Sequence, residues 1–209
     1  MKYKAWEKLA SKYNTQWVQK YSLTPTRREV KKLVLPLLEE NAELKILDVG
    51  CGTGQLIGEI REHYSEVNYL GIDVTKNMIE VATQNNSGSR IRFLNVSVDD
   101  FVSDEKFDVI ICTHAFPYFP NKSEAMQKMA SLCSKGGKVI IVSSSTNNVK
   151  DWFINLLVKT RTSRARYLSI KQMKKLFSSA GLEVKKVQVI RERAYMPTIA
   201  LMCAEKTND

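Results

Sequence analysis

The stretch Lys45-Ile46-Leu47-Asp48-Val49-Gly50-Cys51-Gly52-Thr53-Gly54 is an apolar run that turns at once into three alternating glycines. It reads as a buried strand feeding a ligand-binding turn. Glycine has no Cβ and accepts positive φ, so such a turn is tight and lets a ligand lie directly against backbone N–H groups. The spacing selects the ligand. A dinucleotide fingerprint is G-x-G-x-x-G and a phosphate loop ends in Lys-Ser/Thr, whereas here the pattern is G-x-G-x-G followed by Gln55. A nucleotide-like ligand without a pyrophosphate fits better.

Further segments follow in order. Asn68 to Asp73 is a second apolar run ending in Gly71-Ile72-Asp73, with the acid about 20 residues past the glycines, the distance expected of a ribose ligand. Arg90 to Phe101 reads as a strand and the polar loop Asn95-Val96-Ser97-Val98-Asp99-Asp100. Phe107 to Cys112 is an unbroken apolar strand opening into Thr113-His114-Ala115-Phe116-Pro117-Tyr118-Phe119.

In its D-x-G-C-G-T-G form, Ile46 to Gly54 resembles the first motif of the class I S-adenosylmethionine-dependent methyltransferases, and the later segments extend the resemblance to about Lys206. It implies a doubly wound, seven-stranded, mostly parallel α/β sheet with an antiparallel strand near one edge, helices on both faces and an N-terminal helical lid. It also implies S-adenosylmethionine as cofactor, held by Asp48, Gly50, Cys51, Gly52 and Gly54, with Asp73 on the ribose hydroxyls. Val74, Met78, Val98 and Thr113 are expected beside the cofactor. Family members often carry Gly-Asp where this chain has Val96-Ser97. Ser97 is thus expected to accept from the adenine amino group in place of a carboxylate, with Asp99 or Asp100 as substitutes. Ala10-Ser11-Lys12-Tyr13-Asn14 resembles an element whose tyrosine closes over the cofactor. Arg27 or Arg28, with Arg28 the preferred site residue, is expected to pair with the methionine carboxylate.

Between Lys45 and Lys135 apolar strands alternate with amphipathic helices over Gln55 to Tyr64, Lys76 to Asn85 and Lys122 to Cys133, the signature of a parallel sheet. Thr75 is expected to cap the second of these. Gly136-Gly137 introduces a strand from Lys138 to Ser143. Ser169 opens a helix running to Ala180, and two closing strands, Leu182 to Arg191 and Thr198 to Glu205, form a hairpin. Residues 1–41 carry two helices, the first with Trp6, Leu9, Tyr13 and Trp17 at helical spacing, the second opened by the capping-box pattern Thr26-Arg27-Arg28-Glu29. They are assigned as a cap, residues 42–209 as the cofactor-binding domain and 147–168 as a second lid.

The chain is 209 residues long and 44% hydrophobic, enough for one buried core. Its four cysteines form no C-x-x-C pair and no Cys/His cluster, which predicts a reducing, cytoplasmic setting and no metal. No run of about 18 apolar residues occurs, so no membrane partner is expected. The net charge of +10 draws anions, but it is scattered, with one concentration at Lys159 to Arg166. A solvated basic surface is preferred over a polyanion site, and the aromatic loop His114 to Phe119 with the aromatic first helix suits a small, partly apolar acceptor.

His114 is the one histidine placed to act as a catalytic base, with a pocket wall as its alternative role; His63 is assigned to the surface or to a helix C-terminal cap. No N-P-P-Y or D-P-P-Y follows the fourth strand, which disfavours methylation of nucleic-acid amino groups. The competing functions are an RNA or protein methyltransferase using residues 159–166, a cofactor-binding protein without turnover, and, more distantly, a nicotinamide enzyme.

Overall fold

The computed structural model describes residues 4–162, 165–192 and 196–207. Seven strands form one sheet: β1 (Lys45–Val49), β2 (Asn68–Asp73), β3 (Ile91–Asn95), β4 (Phe107–Thr113), β5 (Cys133–Ser144), β6 (Leu182–Ile190) and β7 (Ile199–Lys206). Their spatial order is β3-β2-β1-β4-β5-β7-β6. β1 pairs in parallel with β2 and β4, whereas β7 runs antiparallel between β5 and β6. The expected sheet and its antiparallel strand near one edge are therefore observed. The order reverses at β1 and β4, which puts the crevice for a ligand beyond their carboxyl ends.

Alternate residues of each central strand serve opposite faces. Leu47, Val49, Ile110, Cys112, Val139 and Ile141 pack with α5 (Lys122–Leu132) and α7 (Ile170–Ser179), whose Met126, Met129 and Phe177 are buried. Ile46, Val109, Ile111, Ile140 and Val142 pack with α2 (Thr24–Glu40) and α3 (Gln55–Arg61) on the other face. Ser169 caps α7 with Gln172 in a complete capping box.

The N-terminal segment departs from the expected pair of helices. After α1 (Lys4–Leu9) the chain tightens into a 3₁₀ turn at Ala10–Thr15 and passes through a π turn at Gln19–Leu23 before α2 begins at Thr24, with Pro25 in its first turn. The box expected at Thr26 does not form, because Thr26 already lies inside the helix. Its hydroxyl bonds His114 instead, and Glu29 binds Arg28, Lys32 and Gln188. Val30, Val34 and Leu38 of α2 are fully buried against the sheet. Ahead of α2, Tyr13 and Asn14 reach the glycine turn.

Candidate active site

Gly50, Gly52 and Gly54 all have positive φ, at 75°, 54° and 74°. Gly50 is also sterically required, since a Cβ there would stand 2.2 Å from Ala115 Cβ of the loop after β4. Four of the turn's N–H groups are spent internally. Gly50 N and Cys51 N donate to Ile72 O (2.8 and 3.1 Å), Gly52 N to Asp73 Oδ2 (3.0 Å) and Gly54 N to Cys51 O (3.0 Å). This corrects the expectation of N–H groups open to a ligand: the turn offers a surface without side chains, knotted to β2. Such a surface suits an uncharged nucleoside better than a pyrophosphate.

Asp73 ends β2 beside this turn. Its Oδ1 accepts from Thr75 N (2.8 Å) and its Oδ2 from Gly52 N (3.0 Å), which leaves each oxygen a further lone pair for a vicinal diol. Burial raises its pKa, while the two N–H bonds pull it down. α4 (Lys76–Asn85) starts just beyond. Thr75 occupies its N-cap position but makes no side-chain cap bond. Glu7 of α1 supplies that cap from afar, accepting from Lys76 N (3.2 Å) and Asn77 N (3.0 Å). An acid at a helix N-terminus satisfies free N–H groups and the helix dipole together. Glu7→Ala is therefore expected to loosen residues 4–23 by about 1 kcal/mol. Limited proteolysis should speed up within that segment while the melting temperature barely moves; unchanged cleavage would remove Glu7 from this role.

The same segment brings Tyr13 onto the turn. A Cβ at Gly52 would lie 3.8 Å from Tyr13 Cε1, and Thr53 Oγ1 donates to Asn14 Oδ1 at 2.6 Å. Burial, then Tyr118 and Asp73, push the Tyr13 hydroxyl well above its ordinary pKa, so it remains a donor. Trp6 stands edge-on to Tyr13 at 6.2 Å and to Tyr118 at 5.3 Å. The turn is thus roofed by aromatic rings, with the Phe116–Tyr118 3₁₀ turn along one side.

Asp48 lies beneath the turn, 1% exposed, with Oδ1 buried and without a hydrogen-bond partner. Burial first, and Asp73 second, push its carboxyl up to about 7. The unfolded chain ionises this group near about 4, so stability it contributes is lost as pH rises from about 4 to 7. Asp48→Asn is expected to escape that loss. Urea melts across the window should show the variant gaining on the parent with rising pH, and a constant difference would refute the assignment.

A model of the family described as "Methyltransferase domain" matches residues 40–194. The chain belongs to the class I S-adenosylmethionine-dependent methyltransferases. Among relatives of this methyltransferase-family chain is an uncharacterized methyltransferase, YcgJ of Bacillus subtilis, 28% identical over 163 residues, 75% of this chain and 64% of the relative. The ubiquinone biosynthesis O-methyltransferase of Chromobacterium violaceum is 26% identical over 183 residues, covering 80% of this chain and 78% of that one. The crystal structure of an S-adenosylmethionine-dependent methyltransferase from Thermotoga maritima, described as a possible histamine N-methyltransferase, shares the fold with a TM-score of 0.77 at 17% identity, covering 99% of this chain and all of that one. The chain thus spans slightly under two thirds of the Bacillus relative's length.

Against the residues expected of a methyltransferase, the structure brings Asp48, Gly50, Gly52, Gly54, Asp73 and Tyr13 together. Val74 is 40% exposed, whereas Met78 is buried and Val98 is in the core. Cys51 contributes backbone only, since a Cβ at Gly71 would lie 2.9 Å from its Sγ, beneath the turn. Thr113 is half-buried at the end of β4. Ser97 is engaged otherwise: its hydroxyl donates to Asp100 Oδ2 (2.6 Å) and accepts from Asp100 N (3.1 Å). This local turn occupies both the serine and its nearest substitute.

Arg28 requires a correction. Its side chain is 54% exposed and pairs with Glu29 and Glu192 on the outer surface. Arg27 is the arginine turned inward, bonding Glu59 (2.6 Å), Gln19 (2.9 Å), Thr24 (3.0 Å) and Gln55 (3.4 Å). One residue of helical rotation, about 100°, separates the two faces, and the displaced helix start decided which arginine faced in. The contacts of Thr26 with His114 and of Glu7 with α4 carried no sequence signal, since both join partners distant in the chain.

His114 is the only non-glycine residue with positive φ among those described, at 58°. Its Nε2 lies 2.9 Å from Thr26 Oγ1. Burial, with Arg27 adding to it, lowers its pKa to about 4. Such a ring is neutral at physiological pH and is a weak proton acceptor, which favours the pocket-wall role over the base. Of the basic concentration at 159–166, residues 163–164 and the side chains of 159–162 lie outside what the structure describes.

Proposed function

We propose that this chain transfers the methyl group of S-adenosylmethionine to a small, largely apolar acceptor bound between residues 4–23 and the Phe116–Tyr118 turn. The observation that carries this is the roofed glycine turn, with Tyr13 over Gly52 and Asp73 at its edge. The residues present fit the cofactor: a face stripped of side chains for the nucleoside, a carboxylate with spare lone pairs for a diol, and a buried Asp48 oxygen still lacking a donor. When bound, the cofactor supplies an electrophilic methyl carbon and a neutral thioether leaving group.

The protein's part is positioning. Holding two reactants collinear and dry supplies about 7 to 11 kcal/mol of barrier reduction, and no resident base is needed when the acceptor nucleophile carries no proton that must leave at the transition state. Trp6, Tyr13 and Tyr118 exclude water from the space beside the turn, and neutral His114 lends an uncharged wall fixed by Thr26. The name of the Chromobacterium relative, which includes ubiquinone biosynthesis, supports an acceptor of small-molecule type.

Calorimetry with S-adenosylhomocysteine should give heat from one site per chain, and NADH should leave the melting temperature unmoved. Absence of heat with folded protein would overturn the proposal. Methyl transfer to a panel of small phenols, amines and carboxylates should vary little with salt. A steep fall with salt would instead favour an RNA or another polyanion, and cofactor binding with no transfer to any acceptor would favour a protein without turnover.

A further inference from the structure

α6 (Val149–Thr162) is amphipathic the wrong way round for a helix of a water-facing domain. Its inner face is polar. Asp151 is fully buried and accepts from Thr198 Oγ1 (2.8 Å), Thr198 N (3.2 Å) and Asn147 N (3.2 Å), and Arg191 approaches at 3.8 Å. Asn155, one turn on and 3% exposed, donates to Ser145 O and Thr146 Oγ1. These bonds fix the rotation of the helix. Its outer face is consequently apolar: Val149 (81% exposed), Trp152 (56%), Phe153 (56%) and Leu156 (43%) stand at i, i+3, i+4 and i+7, one continuous stripe in water. A stripe of this size on a domain surface marks a contact.

The surrounding charge names the contact. Asp151 is the only acid in α6, and α7 has none. Lys150, Arg166, Lys171, Lys174 and Lys175 are exposed on the two helices and the link between them, and the sequence of α6 adds Lys159 and Arg161. The two helices start close together, since Ile170 N donates to Asn147 Oδ1 (2.9 Å) just ahead of α6 and Thr146 N to Leu168 O (3.2 Å) just ahead of α7. Tryptophan, phenylalanine and leucine flanked by cations without exposed acids match the apolar boundary and anionic headgroups of a lipid leaflet. We infer that α6 lies flat on an anionic membrane surface, its stripe immersed and Lys150, Arg166, Lys171, Lys174 and Lys175 on the headgroups.

The expectation of no membrane partner rests on the lack of a spanning segment, and no helix among the described residues is long and apolar enough to cross one. A helix lying in the interface needs no such length. The link after α6 is bonded to the aromatic turn, Arg166 N donating to Pro117 O at 2.9 Å, so docking would set the mouth of the site against the leaflet. The inference does not depend on the identity of the acceptor.

The test is flotation of the full chain with vesicles of phosphatidylcholine alone and of phosphatidylcholine mixed with phosphatidylglycerol. Binding to the mixed vesicles is expected, weakening with salt and with neutral lipid. Replacing Trp152 and Phe153 together by Ser should reduce partitioning roughly tenfold or more, since two large side chains no longer enter the boundary. The fold should survive, both residues being exposed. Lys174→Glu with Lys175→Glu on α7 leaves the stripe intact and should also reduce binding, which keeps the test decisive if the first variant misfolds. No partitioning into anionic vesicles, or partitioning that both variants retain, would overturn the inference. So would a dimer in sedimentation that the Trp152/Phe153 variant dissociates, since that would assign the stripe to a second copy of the chain.

Discussion

Asp73→Ala is expected to weaken S-adenosylhomocysteine binding by about 3 kcal/mol, roughly a hundredfold, because it deletes charge-assisted bonds to two hydroxyls. The loss reaches beyond the ligand. Gly52 N and Thr75 N lose their shared acceptor, so the turn itself is released at the point where Tyr13 packs on it. Asp73→Asn distinguishes the contributions. One amide oxygen can still accept from one N–H, but the NH₂ then faces the other, so the turn should be partly restored and the affinity less so. Calorimetry reads the affinity and circular dichroism the fold. An Ala variant with unchanged affinity would refute the ribose role.

Gly50→Ala is expected to damage the fold more than any other single methyl group at this site. Two costs combine. An L-residue in the left-handed region pays about 1 to 2 kcal/mol, and the new Cβ, 2.2 Å from Ala115 Cβ, forces the loop after β4 away at about 1 to 3 kcal/mol more. For a chain of this size that corresponds to a fall in melting temperature of roughly 5 to 15 °C, with cofactor binding lost as His114 and the aromatic turn shift. Ala115→Gly in the same chain should recover the steric part and leave the backbone part. If Gly50→Ala melted at the parent temperature, the close approach of the two loops would be disproved.

Both predictions rest on residues that were legible in the sequence, because each does its work within a few residues of its own backbone. The three glycines announce a turn wherever they are placed, and Asp73 follows a strand whose apolar pattern fixes its end. The helix cap at Ser169 and the hairpin from Leu182 to Glu205 were legible for the same reason. At the N-terminus the local signals competed and misled. Thr26-x-x-Glu29 satisfies the capping pattern, but Thr24-Pro25 starts the helix earlier, since a proline early in the first turn costs no hydrogen bond. That moved Thr26 and Arg27 inward and left Arg28 outside. Ser97 likewise held a favourable local partner in Asp100.

The sequence by itself determined the sheet, its order of strands and helices, and the glycine turn after β1, because burial periodicity and glycine stereochemistry are properties of short segments. Only the tertiary structure decided which side chains serve the turn. Glu7 caps a helix almost seventy residues away, Thr26 meets His114, and Asp151 turns the apolar stripe of α6 outward. Such contacts form between groups that the chain brings together only on folding, and their strength depends on burial that no local pattern encodes.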